Sequence, residues 1–189
     1  MADQVTRGAA RLAAGIALPI ALAAGLLAFW GLGGFGGGPA RPGASASPRP
    51  QATGAVVMAA PSLVDRPATL CRALLAGLPG ALRDRLRRPV TAGPEQNAAY
   101  GDPAITLACG AGAPPSIEPT ADVYPLSGVC WYAAPGPDTT VWSTLDREVA
   151  ITVTVPNSYS GQGQWVIEFS GPIVASVPSI KKAPSGCVG

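Results

Sequence analysis

Four cysteines, Cys71, Cys109, Cys130 and Cys187, are the side chains of this sequence best suited to covalent chemistry. Thiols can ligate a metal, cycle as a dithiol or close disulfides, and their spacing separates these uses. Tetrathiolate zinc sites place cysteines in pairs two to four residues apart. The nearest two here, Cys109 and Cys130, stand far wider, and no Cys-x-x-Cys redox motif is present. An even set at wide spacing reads as two disulfides, which persist in oxidising compartments. The sequence has no histidine, which removes His-based triads, His-ligated metal sites and the usual proton shuttle near neutral pH. No metal and no cofactor is expected.

The other chemical signals are weaker. Ser179-Ile180-Lys181-Lys182 contains Ser-x-x-Lys, a nucleophile motif that belongs at the start of a helix inside a cleft. Here it lies in a proline-flanked tail without its partner motifs and reads as a solvated basic stretch. Asp102, Asp146, Glu148 and Glu168 are the candidates for a carboxylate pair of the glycosidase type. No spacing rule selects two of them, and Asp146-Arg147-Glu148 reads as a solvated entry to a strand. Arg83, Arg85, Arg87 and Arg88 form a basic cluster around Asp84. Two readings are an anion-binding patch and, more plainly, a helix C-terminus whose charges complement the macrodipole. Trp131, Trp142 and Trp165 could line a groove, but their positions fit core packing better.

The elements that must position these residues begin with an apolar run. Residues 1–11 are a polar tail carrying Arg7 and Arg11, and residues 12–32 are 21 residues without a charge. At a rise of ~1.5 Å per residue such a run spans a bilayer core. Basic residues before the run and none just after it predict a cytoplasmic N-terminus and an exported remainder. A cleaved secretory signal is the competing reading, with Ala44-Ser45-Ala46 the first marked site past the run. Ala13, Ala17, Ala21 and Gly25 form a small-residue stripe on which two such helices could pack. Residues 33–61, rich in Gly, Pro and Ala, read as a flexible linker.

Residues 62–189 have the composition of a folded domain, with nine Arg or Lys against ten Asp or Glu. The whole chain carries only +2, too weak a field to imply nucleic acid as a partner. A helix is expected from Pro67, capped by Asp65, with Leu70, Leu74, Leu75 and Leu78 on its apolar face. A second short helix is expected to run to Arg88, before Pro89, and Thr91–Tyr100 is expected as loop. Ile105, Leu107 and Cys109 alternate with Thr106 and Ala108, which predicts a strand. Val129–Tyr132 and Thr139–Leu145 read as further strands around a Pro135–Asp138 turn. Val149, Ile151, Val153 and Val155 alternate with polar neighbours, the clearest strand pattern in the chain. Trp165, Phe169, Ile173 and Val177 stand four apart and predict a closing helix that Gly171-Pro172 must kink or restart. The expected fold is α+β: a small, mostly antiparallel sheet of three or four strands, covered on one face by two helices in the order α-β-β-(β)-β-α, preceded by one transmembrane helix. Four cysteines allow three pairings, and sequence alone does not choose. With Cys71 on the first helix, Cys109 on the core face of a strand and Cys187 in a loose tail, the favoured pairing is Cys71–Cys109 with Cys130–Cys187. In the chain-entropy model each such bond stabilises a fold by about 4 kcal/mol.

Five short runs carry a resemblance. They are Cys71 with Leu74 and Leu78-Pro79; Tyr100-Gly101-Asp102-Pro103; Leu107-Ala108-Cys109-Gly110; Gly128-Val129-Cys130-Trp131; and Asp146-Arg147-Glu148-Val149 leading to Val155-Pro156. In this order they resemble an uncharacterised actinobacterial family, the DUF3515 domain of unknown function. The resemblance implies a small envelope protein, exported or anchored, with Cys71 and Cys109 as a core pair and Cys130 and Cys187 as an added one. It supplies no functional residues. The function expected is therefore a membrane-anchored extracytoplasmic domain that binds or scaffolds a cell-envelope component. It would be held at the membrane by residues 12–32 and have an envelope polymer or membrane protein as partner. The alternative is an envelope hydrolase using carboxylates or the Ser-Lys pair.

Overall fold

The computed structural model describes Leu27 and residues 51–187. The chain divides into two units, Met1–Arg49 and Pro50–Gly189, and the second is the folded domain. The expected tail and membrane span, residues 1–11 and 12–32, lie outside the described residues, apart from Leu27. So does the linker as far as residue 50. Among the described residues no helix is long and apolar enough to cross a membrane.

The domain holds helix α1 (Asp65–Gly77), then β1 (Ala81–Leu82), β2 (Arg85–Arg88), β3 (Asn97–Tyr100) and β4 (Ile105–Cys109). Next come β5 (Val123–Leu126), β6 (Val129–Pro135), β7 (Thr139–Thr144) and β8 (Ile151–Pro156), and helix α2 (Gln162–Ser176) closes it. The eight strands form one sheet in the order β1-β2-β3-β4-β8-β7-β6-β5, with antiparallel neighbours throughout. Two four-stranded meanders thus meet where β4 pairs with β8, Leu107 opposite Val153 and Cys109 opposite Ile151. The expectation of a three- or four-stranded sheet is corrected to eight strands.

The correction has local causes. The stretch read as a short second helix is the β1–β2 hairpin, turning at Arg83 with φ 53°. Thr91–Tyr100, expected as loop, contains β3, whose four residues are all buried and so show no alternation. β5 sits inside the proline-rich loop as an edge strand, where Pro125 leaves no inner ladder bond unmade. Helix α1 starts at Asp65 itself, with Val64 at the N-cap and no side-chain cap. Asp65 acts from the first turn, where a carboxylate favours the positive end of the helix dipole. Helix α2 runs through Pro172 without restarting. Proline removes one bond of the preceding turn, while Phe169, Ile173 and Val177 on either side stay fully buried.

The core lies between one sheet face and the two helices. Cys71, Leu74 and Leu75 of α1 and Trp165, Val166, Phe169 and Ile173 of α2 pack onto Ile105, Leu107, Trp131, Ile151, Val153 and Val155. Tyr100 and Phe169 meet edge to face at 5.9 Å. The opposite sheet face carries Thr106, Ala108, Thr152, Thr154, Val141, Ser143 and Tyr132, all partly exposed. Residues 51–63 lie on one of its flanks and the tail as far as Cys187 on the other.

On the β2–β3 flank, residues 51–63 are bound to the sheet, although composition assigns 51–61 to a flexible linker. Val56 forms a parallel bridge with Val90. Arg88 donates to the Gly54 carbonyl at 2.9 Å, Asn97 to Ala59 at 2.9 Å and Gln96 to Pro61 at 3.1 Å. On the other flank the C-terminal tail reaches Cys130 of β6.

Candidate functional site

The structure contains two disulfides, Cys71–Cys109 and Cys130–Cys187, and no free cysteine among the described residues. The first links α1 to the core face of β4, and both its cysteines are fully buried. Gly110 follows it at φ 72°, with the space of a Cβ already taken by Leu63. The second links β6 to the tail over the opposite face, and Cys187 is partly exposed. Among the described residues no group of three His, Cys, Asp or Glu is placed to hold a metal ion.

Three of the four candidate acids are each engaged by a different arginine. Glu148 accepts a two-pronged contact from Arg66, its Oε2 at 2.7 Å from the guanidinium. That hydrogen bonding holds the Glu148 carboxyl below its ordinary range and raises Arg66. Glu168 accepts from Arg83 at 3.1 Å, and Asp146 is paired with Arg147 at 3.2 Å. Asp102 stays exposed in the turn after β3. A glycosidase-type pair needs two carboxyls facing one bond with one of them kept protonated. The Arg66 contact acts against this at Glu148, because it favours the charged form.

Ser179 forms an isolated antiparallel bridge with Arg147, and Ser179–Lys182 is not helical. The helical turn that would bring a lysine back to the serine is missing. Trp131, Trp142 and Trp165 are buried, and their indole N–H groups donate to Ser170, Gln162 and the Ser160 carbonyl respectively. They belong to the core.

The arginine cluster does not end a helix. Arg83 reaches from the hairpin turn to Glu168 and the Gln164 carbonyl, with its guanidinium 5.1 Å from the Trp165 ring centre. Arg85 lies 5.5 Å from the Tyr159 ring centre, and Trp165 and Tyr159 meet at 5.0 Å. Gly101, at φ 72°, leaves room for the Arg85 chain and the Tyr159 hydroxyl, which a Cβ would approach within 3.0 Å. Arg87 donates to the Leu75 carbonyl in the last turn of α1, so one positive charge does complement that helix end. Burial pushes the Tyr100 phenol up, opposed by Arg87, and pushes Tyr159 up, opposed by Arg85.

Arg147 is the residue the sequence pattern misplaces. Asp146-Arg147-Glu148 reads as a solvated strand entry, yet Arg147 is only 6% exposed at its side chain. It donates to Asp146, to the Val177 carbonyl at 3.1 Å just past α2, and to the Gly128 carbonyl between β5 and β6. One guanidinium thus satisfies backbone acceptors from two elements beside its own. The signal in the sequence is the adjacent Asp146, since a buried arginine requires an anion. Next to this region, an open cleft of about 370 Å³ lies between Leu63–Val64, Gly110–Pro114 and Glu148–Ala150. Its walls are mostly aliphatic, and Glu148 is the one charged residue among the described residues lining it.

The arrangement offers packing, backbone clamping and paired charges, and among the described residues none of the candidates is a nucleophile held against a base. No curated protein and no solved structure matches the chain. One family model does, the one described as Protein of unknown function (DUF3515), and it aligns with residues 16–181. That span covers most of the 189 residues, and the chain belongs to the DUF3515 family.

Proposed function

We propose that the chain is a membrane-anchored extracytoplasmic domain that binds or scaffolds a cell-envelope component and catalyses no reaction. The observation that carries this reading is the pair of disulfides, one inside the core and one holding the tail. Such bonds persist where the surroundings are oxidising, outside the cytosol. The apolar run 12–32, with Arg7 and Arg11 before it, supplies the means of export and of attachment. The stretch to residue 50 links that run to the domain. The hydrolase reading finds no support in the geometry, because Asp146, Glu148 and Glu168 are each engaged by an arginine of their own.

A reporter that is active only after export, fused behind residue 189, tests the topology. Activity is expected from the full chain and none from a chain lacking residues 12–32. A reporter active only in the cytosol contradicts it. Asp102→Asn, Glu168→Gln and Ser179→Ala, made singly, are expected to leave envelope turnover unchanged. A loss in any one of them, with the protein still folded, favours the hydrolase. Crosslinking in intact cells is expected to trap an envelope polymer or membrane protein on the domain. Exchanging residues 12–32 for an unrelated anchor distinguishes contacts made by the domain from contacts made by the span.

A further inference from the structure

The two disulfides differ in what else holds the elements they join. Around Cys71–Cys109, α1 is packed into the core through Leu74 and Leu75, with Leu78 just past its end, so the bond adds to an interface that exists without it. The tail has little else. Pro178 and Ile180 pair with the backbone at Glu148 and Asp146, the latter at 2.9 Å. Among the described residues, nothing from Lys181 to Cys187 hydrogen-bonds to the rest of the domain; the Cys187 N–H turns back to Pro184 within the tail. Gly186 rests on Val123, and Cys187 is partly exposed. A cleft of about 270 Å³ opens onto the bond between Gly128, Asp146 and Cys187.

We infer that Cys130–Cys187 is a redox latch: a dithiol reductant opens it selectively and releases residues 181–187 from the outer sheet face while the fold persists. The thiolate of the reductant attacks the Sγ of Cys187, the partly exposed partner of the bond. The sulfur–sulfur bond breaks, and its electron pair leaves on the Sγ of Cys130. The second thiol of the reductant then displaces Cys187 from the mixed disulfide. The reductant ends as a disulfide, and Cys130 and Cys187 end as thiols carrying the two electrons and two protons. Attack requires an approach to a sulfur: Cys187 is partly exposed and lines the cleft, whereas Cys71 and Cys109 are fully buried. Lifting the tail uncovers Val123, Cys130 and the Asp146 side of the cleft. Arg147 keeps its acceptors, since Gly128 and Val177 lie outside the released segment.

The full chain is treated with dithiothreitol, quenched with an alkylating reagent at intervals, and its labelled cysteines are located by mass spectrometry. Cys130 and Cys187 are expected to label together at least about tenfold faster than Cys71 and Cys109. The far-UV circular dichroism is expected to hold, and tryptic cutting at Lys181 and Lys182 to accelerate. Equal rates, earlier opening of Cys71–Cys109, resistance of both bonds, or loss of the dichroism as the latch opens each overturn the inference. Cys187→Ser provides an independent check. It is expected to fold with Cys71–Cys109 closed and the tail cut rapidly; an unfolded spectrum, or a tail as resistant as in the parent, counts against the latch.

Discussion

The domain has two halves of matching content and opposite order: α1 precedes the β1–β4 meander, whereas α2 follows the β5–β8 meander. Each half carries its own disulfide. Cys71–Cys109 closes the first half through the core, helix to strand. Cys130–Cys187 closes the second half across the opposite sheet face, strand to tail. The helix of the second half is held instead by Phe169 and Ile173 and by the hydrogen bond from Arg147 to Val177 just beyond it. The difference separates a bond that reinforces packing from one that replaces it.

The largest effects should come from what the two halves share. Phe169→Ala removes a fully buried ring that meets Tyr100 of the first half, and a loss of about 3–5 kcal/mol is expected in a denaturant titration. A loss under 1 kcal/mol would deny that the halves share one core. Arg147→Met should cost about 3–5 kcal/mol, because it strands the Asp146 carboxylate. Adding Asp146→Asn should recover part of that, and no recovery would mean that the carbonyl contacts alone matter.

The disulfides come next and sharpen the contrast. Their sequence separations of 38 and 57 give the second bond the larger chain-entropy effect, by a few tenths of a kcal/mol. The structure predicts the reverse order. Replacing Cys71 and Cys109 together by serine should cost about 2–5 kcal/mol. Replacing Cys130 and Cys187 should cost less, because the freed tail regains entropy in the native state as well. Thermal unfolding of the two double variants decides between these orders.

Smaller effects concern pH. Burial raises the Tyr100 pKa above its ordinary value of 10.0, so its contribution is fully present below that value and lost as pH rises through the folded-state pKa. Tyr100→Phe should therefore flatten the alkaline fall of the melting temperature. Arg66 lowers the pKa of Glu148, so that contribution is present above the ordinary carboxyl value and lost as pH falls through the folded-state pKa. Glu148→Gln should remove a small part of the acid-side dependence and leave the alkaline side unchanged.

Legibility in the sequence followed burial on one face or on two. β4 and β8 read clearly because core and outer residues alternate in both, as Leu107 and Val153 do with Ala108 and Thr152. β3 is hidden because Asn97 and Ala99 are buried on the outer face, where Asn97 binds the Ala59 carbonyl, while Ala98 and Tyr100 face the core, leaving no alternation. The β1–β2 hairpin lacks the Asn-Gly or Gly turn that would announce it, turning on Arg83-Asp84 instead. Residues 51–61 have a linker's composition but are held largely through backbone groups, among them Val56 and the carbonyls of Gly54, Ala59 and Pro61, which composition does not encode. The even, widely spaced cysteines pointed to disulfides rather than to a metal site. The Asp146–Arg147 pair went unread because neighbouring opposite charges are common on surfaces, and only the Gly128 and Val177 carbonyls brought beside it by the fold make its burial tolerable.

Thiol trapping in intact cells bears most directly on the proposal that this domain lies outside the cytosol. Cells are quenched in acid, and a mass-tagged maleimide is added with and without prior reduction. Cys71 and Cys109 are predicted to take no tag before reduction and to take it only after denaturation with reductant. Tagging of both before any reductant is added would place the domain in a reducing compartment and contradict the account.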